Sequence, residues 1–335
     1  MINLWYSKYS WLRVFTPLSW VLSKLVEHRR SRYSKNTKRV WNAPVPVCVV
    51  GNITVGGTGK TPLVIWLSQW LIHRGFRVGI VSRGYGSKAS SYPISVTERS
   101  RCQEVGEENI LLHRRTLVPI VVDPQRVRAT QFLLKNHAVD VVISDDGLQH
   151  YRLGRNIEIA VFDGTRGIGN GLQIPFGPLR EPKKRLSEVH WLVAKNESKF
   201  IDLPAFPMQL EPIEFVNLGN DSALGISEFK TQYSGPLRAI AAIGNPQSFQ
   251  DTLDRLEIQA RVEAFRDHHY FRVDELDANG SVIIVTEKDA QKIRELPMDA
   301  GHIWYLRVDV KFKDNIDGFL GSMFREQGLN VKERD

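Results

Sequence analysis

The sequence predicts an α/β protein in which a parallel-sheet domain is preceded by an amphipathic helical arm and followed by a second, smaller α/β domain. Three observations predict this arrangement: β-rich runs that alternate with helical stretches, a second and later set of such runs, and an aromatic, basic amino-terminal segment. The chain of 335 residues is long enough for two domains. Its hydrophobic fraction of 42% and charged fraction of 24% are typical of globular proteins.

The β-rich runs fall into two groups along the chain. The first group comprises residues 46–50, 78–81, 118–122, 140–144, 157–161 and 190–194. After a polar, loop-like stretch at 217–236, the second group comprises residues 237–243, 258–265, 282–285 and 303–308. Alternation with helical stretches indicates parallel strands joined by crossover helices. We expect an arm at 1–40, a first domain at 41–217 and a second at 218–335, with the active site in the cleft between the two domains.

Positive charge is concentrated at the amino terminus. Residues 1–40 contain nine Lys or Arg and one acid, Glu27, while the whole chain has a net charge of +8, so the rest of the chain is balanced. A nucleic-acid-binding protein would spread basic residues over a binding face, so this distribution argues against a nucleic-acid partner. The two cysteines, Cys48 and Cys102, indicate no disulfide framework and fit a reducing compartment.

The arm combines apolar residues with a basic cluster. One face at heptad spacing contains Leu4, Lys8, Trp11, Phe15, Leu18, Leu22 and Leu25, with Lys8 as its only break. Further rings stand at Trp5, Tyr6, Tyr9 and Trp20. These rings and the basic residues between Arg29 and Arg39 favour an anionic membrane–water interface.

The arm is predicted to lie on a membrane and not to span it. The weakly charged run from Val14 to Ser23 is shorter than the about 20 residues that a spanning helix needs. Thr16 followed by Pro17 predicts that two short helices meet there. Packing of the arm against the protein's own core is the alternative.

A glycine-rich segment, GNITVGGTGKTP at 51–62, lies between a β-rich run and a helical stretch. Glycines allow successive N–H groups to point at one anion, and the following helix adds its dipole. We therefore expect a P-loop NTPase-like domain in which Lys60 reaches the β- and γ-phosphates of a nucleotide and Thr61 ligates Mg2+. The predicted nucleotide-binding residues of this loop are Thr54 (where a Walker A pattern has glycine), Val55, Gly56, Gly57, Thr58, Gly59, Lys60 and Thr61.

Two adjacent carboxylates, Asp145 and Asp146, end an apolar run. An acid at the tip of a buried parallel strand is where a Walker B residue holds Mg2+. Because neighbouring residues of a strand point opposite ways, only one of the two can face the metal directly. A simple Asp-Asp-Gly turn is the alternative.

Other segments offer further polar side chains. Arg83 follows the run 78–81, and Arg180 lies in a Gly/Pro-rich loop that is equally compatible with a plain connector. Either guanidinium can clamp a phosphate. His268 and His269 stand beside Asp267, but no third ligand at suitable spacing is visible, so an acid–base or orienting role is better supported than zinc binding.

Six blocks in order make the chain resemble the tetraacyldisaccharide 4'-kinase (lipid A 4'-kinase) family along nearly its whole length. They are GNITVGGTGKTP at 51–62, SRGYG at 82–86, DDGLQH at 145–150, FGPLREP at 176–182, DHH at 267–269 and TEKDA at 286–290. The resemblance implies phosphoryl transfer from ATP, with Mg2+, to the 4'-hydroxyl of a tetraacylated glucosamine disaccharide 1-phosphate. It also implies a lipid A precursor as substrate and a location at the cytoplasmic face of the bacterial inner membrane. No obligate protein partner is expected.

One block departs from the family pattern. The family's Val-Gly-Asp-Glu-Pro appears here as VGEEN, so Glu107 stands where the family has its catalytic aspartate. The extra methylene moves the carboxylate by roughly 1.5 Å, and a misplacement of about that size can cost on the order of 100-fold in rate. Either the loop has adjusted, or Glu108 or Asp146 carries more of the work. The resemblance implies Glu107 as the proton acceptor and His268 or His269 as its partner. Lys60 of the glycine-rich loop and Asp146 complete the predicted catalytic residues.

Two other functions fit a phosphate-binding loop. One is a kinase or amide ligase acting on a soluble metabolite, and the aromatic, basic arm argues against it. The other is a membrane-associated P-loop hydrolase that acts as a switch. The DHH block and the lack of a base-reading Asn/Thr-Lys-x-Asp motif argue against a GTPase of that kind.

Overall fold

The computed structural model describes residues 2–7, 11–35, 39–198, 203–277 and 280–331. The arm starts with helix α1 (Ile2–Trp5) and continues through a 3-10 helix (Trp11–Phe15) into helix α2 (Thr16–Lys35). As predicted, a helix begins at Thr16 and has proline in its first turn. At 20 residues, however, α2 is not the short helix that we expected. Lys8 and Tyr9 lie outside the described residues.

The apolar side chains of the arm divide between two environments. Trp5 and Leu12 are buried and pack with Leu172 in a small cluster. The exposed ones are Leu4, Trp11, Val14, Leu18, Trp20, Val21 and Leu25. Trp11 and Trp20 each expose 62% of their surface. In the part of the chain that the structure describes, no helix is long and apolar enough to cross a membrane.

The first half of the fold (residues 39–198) is built around a mainly parallel sheet. Its strands are β1 (Val47–Gly51), β2 (Val78–Ser82), β3 (Ile94–Ser95), β4 (Ile120–Val122), β5 (Val141–Asp145), β6 (Ile157–Asp163) and β7 (Trp191–Lys195). Its helices are α3 (Lys60–Ile72), α4 (Cys102–Val105), α5 (Glu107–Thr116) and α6 (Arg126–Asn136). The strand order is β7-β6-β1-β5-β2-β4-β3, and only β3 runs antiparallel to its neighbour. The predicted α/β class is confirmed.

The second half of the fold (residues 203–331) continues the same sheet. Its strands are β8 (Phe206–Asn217), β9 (Ala223–Gly225), β10 (Leu237–Ala241), β11 (Val262–Ala264), β12 (Val282–Thr286) and β13 (Ile303–Phe312). Its helices are α7 (Ile226–Gln232), α8 (Pro246–Arg255), α9 (Glu287–Ile293) and α10 (Asp317–Glu326). β8 joins the halves, because it pairs in parallel with β7 and antiparallel with β13. The sequence did not predict β8, and the stretch predicted as loop at 217–236 contains β9 and α7.

The last helix packs across the predicted domain boundary. Leu320 and Phe324 of α10 are buried in the core of the first half, and the Phe324 ring centroid lies 5.6 Å from that of Trp70 in α3. Asp317 Oδ1 accepts a hydrogen bond from Trp70 Nε1 at 2.7 Å, and Asp317 pairs with Arg74 at 3.0 Å. The domain limits remain a prediction, but α10 belongs structurally with the first half.

Replacing Phe215 of β8 tests the core of the second half. Phe215 is fully buried and stacks on Phe229 with ring centroids 3.9 Å apart, so Phe215→Ala is expected to lower the free energy of unfolding by about 3–5 kcal/mol. Ile213 on the same strand is 41% exposed, and Ile213→Ala is expected to cost less than about 1 kcal/mol. Denaturant unfolding measures both variants, and equal losses would contradict the core position of Phe215.

Candidate active site

The glycine-rich loop that connects β1 to α3 contains open backbone amides, that is, N–H groups without an acceptor among the described residues. Gly56 and Gly59 have φ angles of 114° and 88°, a region in which a side chain would be strained. A Cβ at Gly59 would also lie 3.0 Å from Met208 Cε of β8. Among the described residues, no acceptor bonds the amides of Gly56, Gly57, Thr58 or Gly59. Together with the amino end of α3, these amides have the arrangement that binds an anion in other proteins.

The first two residues predicted to bind nucleotide support the loop instead. Thr54 is buried and forms an isolated β-bridge with Leu179. The Val55 amide donates to the carbonyl of Pro178 at 2.8 Å, so it is not open to a phosphate. This short strip of pairing holds the Gly/Pro-rich loop against the phosphate-binding loop and brings Arg180 next to it.

Asp146 joins two cations beside the loop. Lys60 Nζ lies 3.4 Å from Asp146 Oδ1. Arg180 Nη1 donates to Asp146 Oδ1 at 3.0 Å and to Oδ2 at 2.9 Å. Burial alone would raise the pKa of Asp146, but Lys60 and Arg180 outweigh burial and hold that pKa below its usual range. The carboxylate therefore stays ionised and fixes both cations at the site.

Asp145 offers an oxygen without a partner. As the last residue of β5, it lies beside Val50 of β1. Its Oδ1 is buried and has no hydrogen-bond partner among the described residues, and Ser82 Oγ reaches its Oδ2 only at 3.5 Å. Burial, with the nearby charges of Glu108 and Asp146, raises the pKa of Asp145 to about 7. A buried carboxylate oxygen without a hydrogen-bond partner fits a hard cation such as Mg2+.

In the described part of the chain, Asp145 has no further side chains around it that would complete a metal site by themselves. The residues that the structure describes contain no group of three or more His, Cys, Asp or Glu side chains placed to hold an ion. Mg2+ usually keeps waters and takes substrate phosphates as ligands, so one carboxylate and one hydroxyl suffice at a nucleotide site.

Glu107 and His268 face each other across the two halves. Glu107 is the first residue of α5, and His268 lies in the loop after β11 with its Nδ1 2.5 Å from Glu107 Oε1. This hydrogen bond raises the pKa of His268. Burial alone would raise the pKa of Glu107, but His268 and Lys288 outweigh burial and lower that pKa to about 2. The Glu107 carboxylate therefore meets the imidazole of His268 directly.

Two other predicted residues form neither a hydrogen bond nor an ion pair with Glu107 or His268 among the described residues. His269 Nε2 lies 2.9 Å from Glu275 Oε2, so the two consecutive histidines have different partners. Arg83 is exposed and makes no ion pair with a described carboxylate. Burial, together with the charges of Arg126 and Arg83, lowers the pKa of His150 to about 3, which places Arg83 near other cations.

The sequence did not assign Lys288 or Gly244 to the site. Lys288 Nζ lies 3.0 Å from Glu108 Oε1 and 3.5 Å from Glu107 Oε1. A Cβ at Gly244 would lie 3.6 Å from the Gly57 amide nitrogen, so the second half approaches the phosphate-binding loop there. The TEKDA block contained Lys288, but lysines are mostly solvated. Only the tertiary fold reveals its partners.

The arm supports the loop that carries Arg180. The Phe15 ring stacks on Phe176 with centroids 4.4 Å apart. The amide of Gln173 donates to Ser19 Oγ at 2.8 Å. The arm therefore packs against the loop that carries Arg180, and it also presents exposed side chains.

Comparison with known proteins identifies the family of the chain. A family model described as Tetraacyldisaccharide-1-P 4'-kinase matches residues 11–325. The chain belongs to this kinase family. A relative from Pseudomonas syringae pv. tomato, named Tetraacyldisaccharide 4'-kinase, is 39% identical over 332 residues, covering 99% of this chain and 98% of the relative. A relative of the same name from Haemophilus influenzae is 41% identical over 314 residues, covering 92% and 91%.

A solved structure of the family shares the fold. The crystal structure of LpxK from Aquifex aeolicus in complex with ATP is similar to this kinase chain with a TM-score of 0.80 and 26% sequence identity. The match covers 95% of this chain and 99% of the crystallised chain. The family membership that the six sequence blocks predicted is confirmed.

Proposed function

We propose that this chain transfers the γ-phosphoryl group of ATP to the 4'-hydroxyl of a tetraacylated glucosamine disaccharide 1-phosphate, a precursor of lipid A. Its family, its relatives and its likeness to a structure solved with ATP support this proposal. The observation that carries it is the juxtaposition of open loop amides and Lys60 with a carboxylate–histidine pair built by both halves. Transfer to a hydroxyl requires both a phosphate site and a proton acceptor.

Lys60, the loop amides and Arg180 form the phosphate side of the proposed reaction. Preorganised donors aimed at developing charge are usually the largest single contribution to catalysis. Asp146 fixes Lys60 and Arg180 within reach of one another. Both cations are therefore placed to bind phosphate oxygens without a large rearrangement.

The residues that would hold Mg2+ are Asp145, through its unpartnered Oδ1, and Thr61 at the start of α3. When bound, Mg2+ neutralises charge on the β- and γ-phosphate oxygens. Asp146 is less suited to this role, since both of its oxygens already accept hydrogen bonds from Arg180. Of the two adjacent aspartates, we therefore propose Asp145 as the metal ligand and Asp146 as the partner of the cations.

The Glu107–His268 pair acts on the acceptor hydroxyl. Because the pKa of Glu107 is lowered to about 2 and that of His268 is raised, the imidazole is the more basic member near neutral pH. We assign proton acceptance to His268 Nε2 and orientation of the ring to Glu107, the reverse of the roles that the family resemblance implied. Nε2 lies 3.8 Å from Asp267 Oδ2, and Asp267 adjoins Gly244 at the phosphate-binding loop.

Transfer of label from ATP to lipid tests the proposed function. The protein is incubated with γ-labelled ATP, Mg2+ and the tetraacylated disaccharide 1-phosphate in detergent micelles, and the lipids are separated by thin-layer chromatography. Label is expected in the lipid, and none is expected when the acceptor already has a 4'-phosphate. Release of label only as inorganic phosphate would support a hydrolase instead and overturn the proposal.

We also propose that the arm binds the cytoplasmic face of the bacterial inner membrane. The exposed rings of Trp11 and Trp20 stand on the same arm as exposed Arg29 and Arg32. Aromatic rings favour the membrane–water interface, and each basic residue near an anionic surface contributes about 1 kcal/mol. This arrangement suits an enzyme whose acceptor lies in a bilayer.

Removing three exposed apolar side chains of the arm tests its membrane contact. The triple variant Trp11→Ser, Trp20→Ser and Leu25→Ser is expected to reduce partitioning onto anionic phospholipid vesicles at least about 100-fold, since each side chain loses on the order of 1.5–3 kcal/mol of burial. Vesicle sedimentation measures this partitioning. Leu117 is 77% exposed outside the arm, so Leu117→Ser serves as the control. Unchanged sedimentation of the triple variant would rule out this contact.

A further inference from the structure

Three carboxylates converge on Lys288. Its Nζ lies 3.0 Å from Glu108 Oε1, 3.5 Å from Glu107 Oε1 and 3.9 Å from Asp267 Oδ1. Glu107 and Glu108 belong to α5 in the first half, while Lys288 and Asp267 belong to the second half. Within the described ranges, no other lysine or arginine lies within 4 Å of Glu107. The ammonium of Lys288 thus neutralises part of a charge cluster that both halves create.

Hydrogen bonds fix Lys288 relative to His268. Lys288 is the second residue of α9, whose capping residue Thr286 donates to Asp289 Oδ2 at 2.7 Å and accepts from the Asp289 amide at 3.2 Å. Asp289 Oδ2 also accepts from the Ala242 amide at 3.0 Å, and the Ala242 carbonyl accepts from the His268 amide at 3.4 Å. A continuous series of hydrogen bonds therefore connects the start of α9, which carries Lys288, with the loop that carries His268.

The charge of Lys288 acts on both members of the Glu107–His268 pair. Three carboxylates this close would raise one another's pKa. Burial alone would lower the pKa of Lys288, but Glu108, Glu107 and Asp267 outweigh burial and raise it, so the ammonium persists. Lys288 in turn helps to lower the pKa of Glu107 and opposes the rise in the pKa of His268. Without this charge, the pKa of each should be higher.

We propose that Lys288 is a positioning residue for proton acceptance, which holds the Glu107 carboxylate against His268 and opposes protonation of the imidazole. Lys288 Nζ and His268 Nδ1 meet the same oxygen of Glu107, Oε1, so Lys288 restrains the atom that orients the ring. This inference rests on the proposed function and extends it, because Lys288 acts through the pair without contacting the sugar.

Other titratable groups also face Glu107, from four elements. They are Cys102 of α4, Glu108 of α5, Asp267, His268 and Tyr270 of the loop after β11, and Lys288 of α9. Lys288 is the one permanent cation in this set. Removal of the Lys288 charge should therefore raise the pKa of both Glu107 and His268.

Lys288→Met tests the proposal through the pH profile of the lipid kinase reaction. We expect kcat to fall about 10- to 100-fold, KM for ATP to stay within about twofold, and the acid limb of kcat/KM to move to higher pH. The limb moves upward because His268 must be neutral to accept a proton and its pKa rises when the positive charge is removed. Lys288→Arg is expected to retain most of the rate. Lys230 pairs with Glu257 at 2.8 Å on the surface of the second half, so Lys230→Met is the matched control. It should change none of the three quantities: kcat, KM for ATP and the position of the acid limb.

A second measurement does not depend on activity. The pH titration of the His268 ring in protein labelled with 15N-histidine should show a higher pKa in Lys288→Met and a lower pKa in Glu108→Gln, which removes a negative charge and keeps the lysine. Thermal unfolding verifies that each variant is folded. If Lys288→Met does not fold, the titration of His268 in Glu108→Gln tests the proposal by itself. A rate loss with an unmoved acid limb, or an unchanged His268 titration, would overturn the proposal. Absence of lipid labelling by the unsubstituted protein would refute the proposed function, while the ring titration would still decide the role of Lys288.

Discussion

Lys60→Ala is expected to reduce kcat for lipid phosphorylation by at least about 1,000-fold. Lys60 is the cation at the amino end of α3 beside the open loop amides, and it lies 3.4 Å from Asp146. Loss of a preorganised charged donor removes stabilisation that grows as the phosphoryl group transfers. Because Arg180 still pairs with Asp146, no buried carboxylate is left unpaired and the fold should persist. Steady-state transfer of label to lipid measures the rate.

A surface lysine provides the comparison for this variant. Lys311 pairs with Glu211 at 3.1 Å and is 64% exposed, so Lys311→Ala is expected to retain full activity. Thermal unfolding of both variants checks that the loss is not caused by unfolding. If Lys60→Ala keeps even one tenth of the rate, the nucleotide phosphates do not bind at this loop.

Glu107→Gln is expected to lower kcat by about 100- to 1,000-fold and to move the acid limb of the pH profile to lower pH. Activity falls as the pH drops through the pKa of His268, because a protonated imidazole cannot accept the hydroxyl proton. The hydrogen bond that the Glu107 carboxylate accepts from His268 is the largest cause of the raised pKa of His268, so an uncharged amide should lower that pKa. The limb therefore shifts downward, opposite to the shift expected for Lys288→Met.

The neighbouring histidine tests whether this effect is specific. His269 pairs with Glu275 and not with Glu107, so His269→Gln should leave the acid limb in place. An unmoved limb in Glu107→Gln would assign the titration to a group other than His268. Equal shifts in both variants would show that the two histidines do not act separately.

The glycine-rich loop and its place between a strand and a helix could be predicted because they depend on consecutive residues. The order of strand, glycines, lysine and helix contains the whole physical requirement for an anion site, so Lys60 and Thr61 needed no tertiary information. The adjacent aspartates were recognisable for the same reason. Which of them has a free oxygen depends on Arg180, whose approach requires the pairing of Val55 with Pro178.

Other parts of the site depend on contacts between distant residues. Glu107 and His268 are separated by 161 positions, and each was recognisable alone. The choice between the two histidines required the backbone, since His268 has a φ of 62° and the consecutive rings diverge. Strand β8 escaped prediction because Pro207 and Pro212 argue against an interior strand. The structure accommodates Pro212 opposite Val308, where the register shifts.

The shared strand β8 bears on any attempt to express the two halves as separate polypeptides. A break after Asn217 would take β13 away from β8 and leave a long row of unpaired backbone groups in each fragment. Such edges recruit strands from other molecules and lead to aggregates. The amino-terminal fragment would also lose α10 and expose Trp70 to solvent. Complementation between separately made fragments should therefore fail, whereas a single nick in a surface loop of the assembled protein should be tolerated.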